Sequence, residues 1–294
     1  MTEPRVAIYP LQWFAQPDGR LDFSKGPATR DLARQVRTAG FTAMHAFPPD
    51  TQDMAEYAEQ LRAEQVRPAP GYLSVPLDQP TPHAQLRSIA ARFAERQAVL
   101  GLTEAFVADE FNDQRVAQPG IGAGADADRL ARVVERLEVL AATAAEIGVR
   151  LCLHPHVGTW IETEQEVRYA LAAAGSVGFG PDTGHLAWAG CDVVGLLRDN
   201  LSRIGAVHIK DANLAAIHEA ARAQNDLFQH VLAGAWQEPG RGDVPLLEVV
   251  ELLRPTFSGW WVIEVDRAGL GNPQESAAWC AAWAQQHLSA GATT

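Results

Sequence analysis

Four of the nine histidines in this 294-residue sequence stand within or just after short apolar runs, each with a carboxylate or a second basic group beside it. His154, Pro155 and His156 lead into Gly158 and Thr159. Asp182, Thr183, Gly184 and His185 follow the next run, His208 is succeeded by Lys210 and Asp211, and Glu264 and Asp266 close the last. Imidazoles mixed with carboxylates suit a divalent ion of intermediate hardness, Mn²⁺, Co²⁺ or Zn²⁺, with Mg²⁺ also admitted. Side chains two apart on a strand share a face, so His154 can point inward with His156, and His208 with Lys210. Asp182, His208 and Glu264 hold the most regular positions. One histidine of the 154/156 pair completes the set, with His154 preferred. A lone strand-end histidine is ordinarily a satisfied structural group, but four such clusters in succession favour a metal or acid–base site.

Other groups have two readings each. Lys210 directly follows an apolar run beside His208, and the chain has only one other lysine, Lys25, so a functional role is expected for it. Asp211 and Asp266 fit orientation of neighbours or capping of the next helix, with Asp211 kept among the candidate substrate contacts. Trp13, Trp160 and Trp188 follow the first, fifth and sixth runs, where packing and stacking on a carbocycle or sugar ring serve equally well as explanations. Asp109 and Glu110, after the fourth run, stand between a supporting role at the site and a solvated loop. Trp13, Trp188 and Glu110 are carried forward as candidate substrate contacts.

These residues need a scaffold that brings several strand ends together. Eight β-rich runs, at 6–9, 41–44, 66–70, 105–108, 149–153, 177–179, 206–209 and 260–264, alternate with segments whose apolar residues have helical spacing. That alternation is the pattern of βα units and a parallel sheet. Helices are expected over 28–39 with Gly40 as the stop, 126–147 with Gly148 closing it, 163–173 and about 273–287. Thr163 and Glu166 have the spacing of a capping box. The Gly/Pro-rich stretches 71–82 and 118–125 read as loops and separate no segments of different composition, so residues 1–294 are expected to form a single α/β domain, a (β/α)8 barrel. A doubly wound sheet is the weaker reading, because no GxGxxG follows the first strand. In a barrel, strand C-termini form the catalytic face, and the clusters lie at those ends.

Composition narrows the partners. The chain has 24 basic and 36 acidic side chains, a formal net charge of −12, which argues against binding nucleic acid through phosphate neutralisation. Cys152, Cys191 and Cys280 are far apart with no CxxC, so neither a disulfide framework nor a thiolate zinc site is expected. No stretch approaches the roughly 18–20 apolar residues that span a bilayer, and the first residues show no secretory pattern. The expectation is a soluble cytoplasmic protein without membrane or nucleic-acid partners; a homo-oligomer is allowed for.

The sequence resembles the xylose-isomerase-like barrel superfamily of sugar isomerases, epimerases, dehydratases and endonucleases, and within it is similar to the inosose dehydratase branch. The likeness is carried by residues 7–13, by His154, His156, Gly158 and Thr159 with Glu162 and Glu164, by Asp182 to His185, by His208, Lys210 and Asp211, and by 228–244. It implies removal of water from 2-keto-myo-inositol or a related keto sugar, with a metal on Asp182, His208, Glu264 and His154 binding the ketone oxygen and a neighbouring hydroxyl. His156 or His185 would be the base, and Lys210 would bond the enolate oxygen or protonate the departing hydroxyl. Three departures stand out: Pro155 replaces the middle of three histidines, residues 108–113 replace a Gly/Thr-rich turn, and the acidic residue expected just after the Pro-Gly-x-Gly element at 239–242 is displaced, with Pro245 following Val244. They are expected to alter the substrate pocket and leave the metal chemistry in place.

The resemblance leaves competitors. A ketose isomerase or epimerase would use the same metal and the same proton removal, but such enzymes usually present glutamate where this chain has His154. An apurinic endonuclease would need a basic groove, against the net charge. A non-catalytic sugar-binding protein would not need the full ligand set.

Overall fold

The computed structural model describes residues 4–49 and 51–289. Its strands are β1 (Arg5–Tyr9), β2 (Ala43–His45), β3 (Arg67–Ala69), β4 (Tyr72–Val75), β5 (Glu104–Asp109), β6 (Arg150–Leu153), β7 (Gly178–Phe179), β8 (Ala206–Ile209), the short β9 (Asp211–Ala212) and β10 (Trp236–Gln237), and β11 (Trp260–Glu264). Each of the eight expected runs overlaps a strand, with bounds that differ by up to two residues at an end. One sheet runs β3-β2-β1-β11-β8 and another β4-β5-β6-β7, every pair within them parallel.

Two joints turn these sheets into a ring. On one side β3 and β4 form a single stave broken at Pro70 and Gly71. Pro70 has no N–H to donate, and a Cβ on Gly71 would come within 2.5 Å of Gln97 Nε2 and 2.9 Å of the Ala46 carbonyl. Gly71 is nevertheless well bonded: its N–H donates to Gln97 Oε1 at 3.0 Å, and its carbonyl accepts from Phe106 N. The stretch 71–82, expected to be loop, therefore begins with a strand. Flanking Gly and Pro hid the alternation of Tyr72, Leu73, Ser74 and Val75. On the other side isolated parallel bridges, Phe179 to Ile204 and Asp182 to His208, join β7 to β8. The result is an eight-stave barrel.

Among the described residues, twelve α-helices lie between the strands or after the last: α1 (Thr29–Ala39), α2 (Met54–Ala63), α3 (His83–Val99), α4 (Asp113–Ala117), α5 (Ala127–Glu146), α6 (Glu164–Ala173), α7 (Thr183–Trp188), α8 (Val193–Asp199), α9 (Leu214–Arg222), α10 (Leu227–Leu232), α11 (Leu246–Leu253) and α12 (Pro273–Leu288). The four helices expected from apolar spacing are α1, α5, α6 and α12. Gly40 ends α1 at φ 111°, and both bonds of the Thr163–Glu166 capping box start α6. Larger side chains at Gly40 would be strained in that left-handed conformation.

The main core fills the space between strands and helices. A second cluster, Ala7, Ala43, Ala69, Phe106, Ala206, Trp260 and Val262, fills the barrel itself, with Tyr9 and Tyr72 packed on it. Alanines from four staves leave room for two large rings. Alternation then carries the inward face up two residues, from Ala7 to Tyr9, Ala43 to His45, Ala206 to His208 and Val262 to Glu264. Packing below thus fixes which side chains stand at the C-terminal ends of the strands.

Candidate active site and metal-binding cluster

His208, Asp182 and Glu264 converge at that level, all buried. His208 Nδ1 lies 2.8 Å from Glu264 Oε2 and 3.7 Å from Asp182 Oδ2. Asp182 caps α7: its Oδ1 accepts from His185 N at 2.8 Å, which aims the other oxygen at the cluster. Thr183 ties this turn to the end of β8, its hydroxyl donating to the Lys210 carbonyl at 2.7 Å and accepting from Lys210 N at 2.9 Å. Gly184 is required for space, since a Cβ there would approach Lys210 Cγ to 2.9 Å.

Several of these buried atoms have no hydrogen-bond partner: His154 Nδ1, Asp182 Oδ2 and both ring nitrogens of His208. The His208–Glu264 contact is close enough for a charge interaction but is not aligned as a hydrogen bond. Unpaired buried polar groups are costly, so a convergent set of them marks a place for a ligand. Donor atoms of His154, Asp182 and His208 lie within 4.8 Å of one another, as do those of Asp182, His185 and Glu264. Charge points the same way. Asp182, Glu264 and Asp266 bring three carboxylates against the one ammonium of Lys210, a deficit that a dication would offset. These residues fit a divalent ion.

Lys210 is wholly buried, with Nζ 2.6 Å from Glu264 Oε1, 2.6 Å from Asp266 Oδ1 and 3.2 Å from His185 Nε2. Nζ also lies 4.1 Å from the centroid of the Trp236 ring. Burial alone would discharge this amine, but Asp266, Glu264 and Asp182 outweigh it and raise its pKa. Burial would likewise favour protonated Glu264, and Lys210 and His208 reverse that, holding its carboxyl well below the usual range. At Asp266 burial wins over Lys210, and its pKa is raised to about 6. His208 is pushed down by burial and up more strongly by Glu264 and Asp182.

The two remaining imidazoles differ in what they have free. His185 Nε2 lies 3.2 Å from Lys210 Nζ and its Nδ1 lies 3.3 Å from Val157 N, so each of its ring nitrogens has a polar neighbour. His156 Nδ1 lies 2.7 Å from its neighbour's carbonyl, Val157 O, which fixes the proton on Nδ1 and leaves Nε2 as the lone-pair nitrogen. Burial, then the Lys210 charge, lower the His156 pKa to about 4, so its ring is neutral at pH 7. Both rings line a cavity of about 440 Å³ above the barrel. Tyr9, Tyr72, Asp109, His154 and Trp236 line it too, and Phe23 and Phe111, each about half exposed, stand at its mouth with Arg20 and Phe228.

A sequence profile described as "Xylose isomerase-like TIM barrel" matches residues 33–286. The chain belongs to this family. The inosose dehydratase of Bacillus licheniformis is 33% identical over 161 residues, 53% of this chain and 54% of that protein. The chain spans about half the length of the curated relatives it matches. Among solved structures, the probable 3-DHS dehydratase AsbF of Bacillus anthracis superposes with a TM-score of 0.68 at 12% identity, covering 95% of this chain and 97% of that one. The IOLI protein with a bound zinc atom gives a TM-score of 0.69 at 13% identity, with 97% and 98% covered. At these identities the structural likenesses establish the fold.

Within this member of the xylose isomerase-like family, the expected site residues part company. His154, Asp182, His208 and Glu264 come together, with His156, His185 and Lys210 around them. Four others stand elsewhere. Trp13 donates to Gln35 Oε1 at 2.8 Å and does not line the cavity. Trp188 packs between His230 and Trp236, behind the cavity wall. Glu110 is exposed and borders a different cleft. Asp211 accepts from the amides of Ala212, Gly240, Gly242 and Val244, so its carboxylate shapes the 239–244 loop and does not face the cavity. The cavity-lining residues not anticipated include Tyr9, Tyr72 and Trp236. Inward parity with Ala7 would have pointed to Tyr9, whereas nothing local distinguished Trp236. No helix among the described residues is long and apolar enough to cross a membrane.

Proposed function

We propose that this protein is a divalent-metal-dependent dehydratase acting on 2-keto-myo-inositol or a closely related cyclic ketone. One observation carries the reading: the four candidate ligands His154, Asp182, His208 and Glu264 adjoin a cavity onto which a further imidazole outside that set, His156, offers a basic nitrogen not bonded to another residue. The curated relatives named inosose dehydratase support it. His154, Asp182, His208 and Glu264 would hold a divalent ion, Mn²⁺ or Co²⁺ in first place, which when bound would supply Lewis-acid polarisation of a ketone. His156 Nε2 takes the proton beside the ketone, its tautomer held by the Val157 carbonyl. Lys210 acts through others. Its ammonium bonds Glu264 and Asp266 and adds to the burial that keeps His185 neutral, and it does not itself line the cavity. Trp236 and Tyr72 offer flat walls to a carbocycle.

The test is direct. Metal-reconstituted protein incubated with 2-keto-myo-inositol should produce the ultraviolet absorbance of a conjugated dione, while ketohexoses followed by NMR should be returned unchanged. Epimerised ketose without dione would establish the epimerase instead.

A further inference from the structure

Elimination of water needs an acid as well as a base, and the cavity wall offers few. Burial keeps His154, His156 and His185 neutral and makes Tyr9 and Tyr72 weak acids. Asp266 is tied to Lys210, and Glu264 to Lys210 and His208. Asp109 remains. It ends β5 in register with Val75 of β4, is 4% exposed, and lines the same cavity as His156. Its Oδ1 accepts a firm bond from Leu77 N at 2.7 Å, while Oδ2 has only a long one from Trp160 N at 3.4 Å. One oxygen is anchored and the other has capacity for a proton.

We propose that Asp109 is the catalytic acid that protonates the departing hydroxyl, an inference that rests on the dehydratase reading. His156 removes the proton beside the ketone, and the electron pair passes to the ketone oxygen as an enolate, which either takes the proton back from His156 or collapses to the carbon–carbon double bond as the C–O bond breaks. The hydroxyl takes the Asp109 proton and leaves as water. The carboxylate and imidazolium then exchange one proton through solvent to restore the starting state.

The surroundings agree with a carboxyl that is part protonated at neutral pH. Burial raises its pKa to about 7 against the amides of Leu77, Trp160 and Glu110, which favour the ion. Asp78, from the loop after β4, pushes the same way as burial, and Tyr72 of β4 is neutral. Arg136 of α5 donates to the Leu77 carbonyl, and Arg115 and Arg129 pack on the ring of Trp160. An acid works only while protonated. The contribution of Asp109 is therefore complete well below pH 7 and is lost as pH rises through about 7.

The test compares Asp109→Asn with wild type in two partial reactions. In heavy water, the variant should still exchange the proton beside the ketone at close to the wild-type rate, because His156 is untouched. Its dehydration should fall by about 100-fold or more, the usual contribution of a general acid, and the decline of rate above pH 7 should vanish. A substrate analogue with fluorine in place of the departing hydroxyl needs no protonation, so fluoride release should be within a few-fold of wild type. Dehydration at the wild-type rate would overturn the proposal, and so would loss of exchange, dehydration and fluoride release together, which would mark a merely structural residue. Failure of the dehydratase reading would appear separately, as absence of dione with the wild-type protein.

Discussion

Glu264 divides its two oxygens between Lys210 Nζ at 2.6 Å and His208 Nδ1 at 2.8 Å. Its charge is the one that both the ammonium and the His208 imidazole face. Glu264→Gln keeps the shape and removes that charge, so bound metal, measured by elemental analysis, and dehydration should be lost together; retention of full metal occupancy would remove Glu264 from the ligand set. The same residue shows how far local sequence reaches. Its place at the end of an apolar run, two before Asp266, was readable. The sharing of one ammonium, Lys210 from the end of β8, between Asp266 and one oxygen of Glu264 was not, because that depends on which charges are desolvated together. Asp109 and Glu110 make the point by contrast. Adjacent and both acidic, they are opposite in fate: strand parity buries one against the cavity, and the other points to solvent.

Loop anchoring decides the pocket at the scale of elements. Arg115 of α4 is wholly buried, donating to Glu162 at 2.9 Å and to Glu166 at 2.6 Å. Glu162 in turn accepts from the amides of Gly120, Gly122 and Gly158, so one carboxylate fastens the loops following β5 and β6 to each other. Arg115→Met should strand two buried carboxylates and cost about 3–5 kcal/mol, the usual penalty for breaking a buried ion pair from one side. Urea denaturation would measure it; a loss under about 1 kcal/mol would mean that the carboxyls simply protonate. The α6 capping box was legible, since Thr163 and Glu166 are three residues apart. The second use of Glu166, as a partner of Arg115 51 residues away in sequence, was not. The departure at 108–113 resolves likewise: Asn112 caps α4 and Phe111 packs edge-on to His156, placing an aromatic ring at the mouth of the cavity.

For the molecule as a whole, the barrel's stability and its chemistry are separable. The core consists of apolar side chains between strands and helices, with a compact plug inside the staves, and does not depend on the cluster above. Chelation of the divalent ion should therefore abolish dehydration with unchanged far-ultraviolet circular dichroism. The melting temperature should drop by no more than about 15 °C, given that a ligand at 1,000 times its Kd stabilises by about 4 kcal/mol and each kcal/mol is worth roughly 2–4 °C. Loss of the dichroism signal would assign the ion a structural role. By itself the sequence determined the βα alternation, the four strongest helices and the strand-end positions of His154, Asp182, His208 and Glu264. These follow from periods of 2 and 3.6 and from short spacings, which are local properties of a chain. Tertiary structure alone decided the broken stave at Gly71, the closure of the ring between Phe179 and Ile204, and the release of Trp13, Trp188, Glu110 and Asp211 from the cavity. It also brought in Tyr72, Asp109 and Trp236. Each of those depends on contacts between distant segments and on which polar groups lose water together, and neither is written in any short stretch of residues.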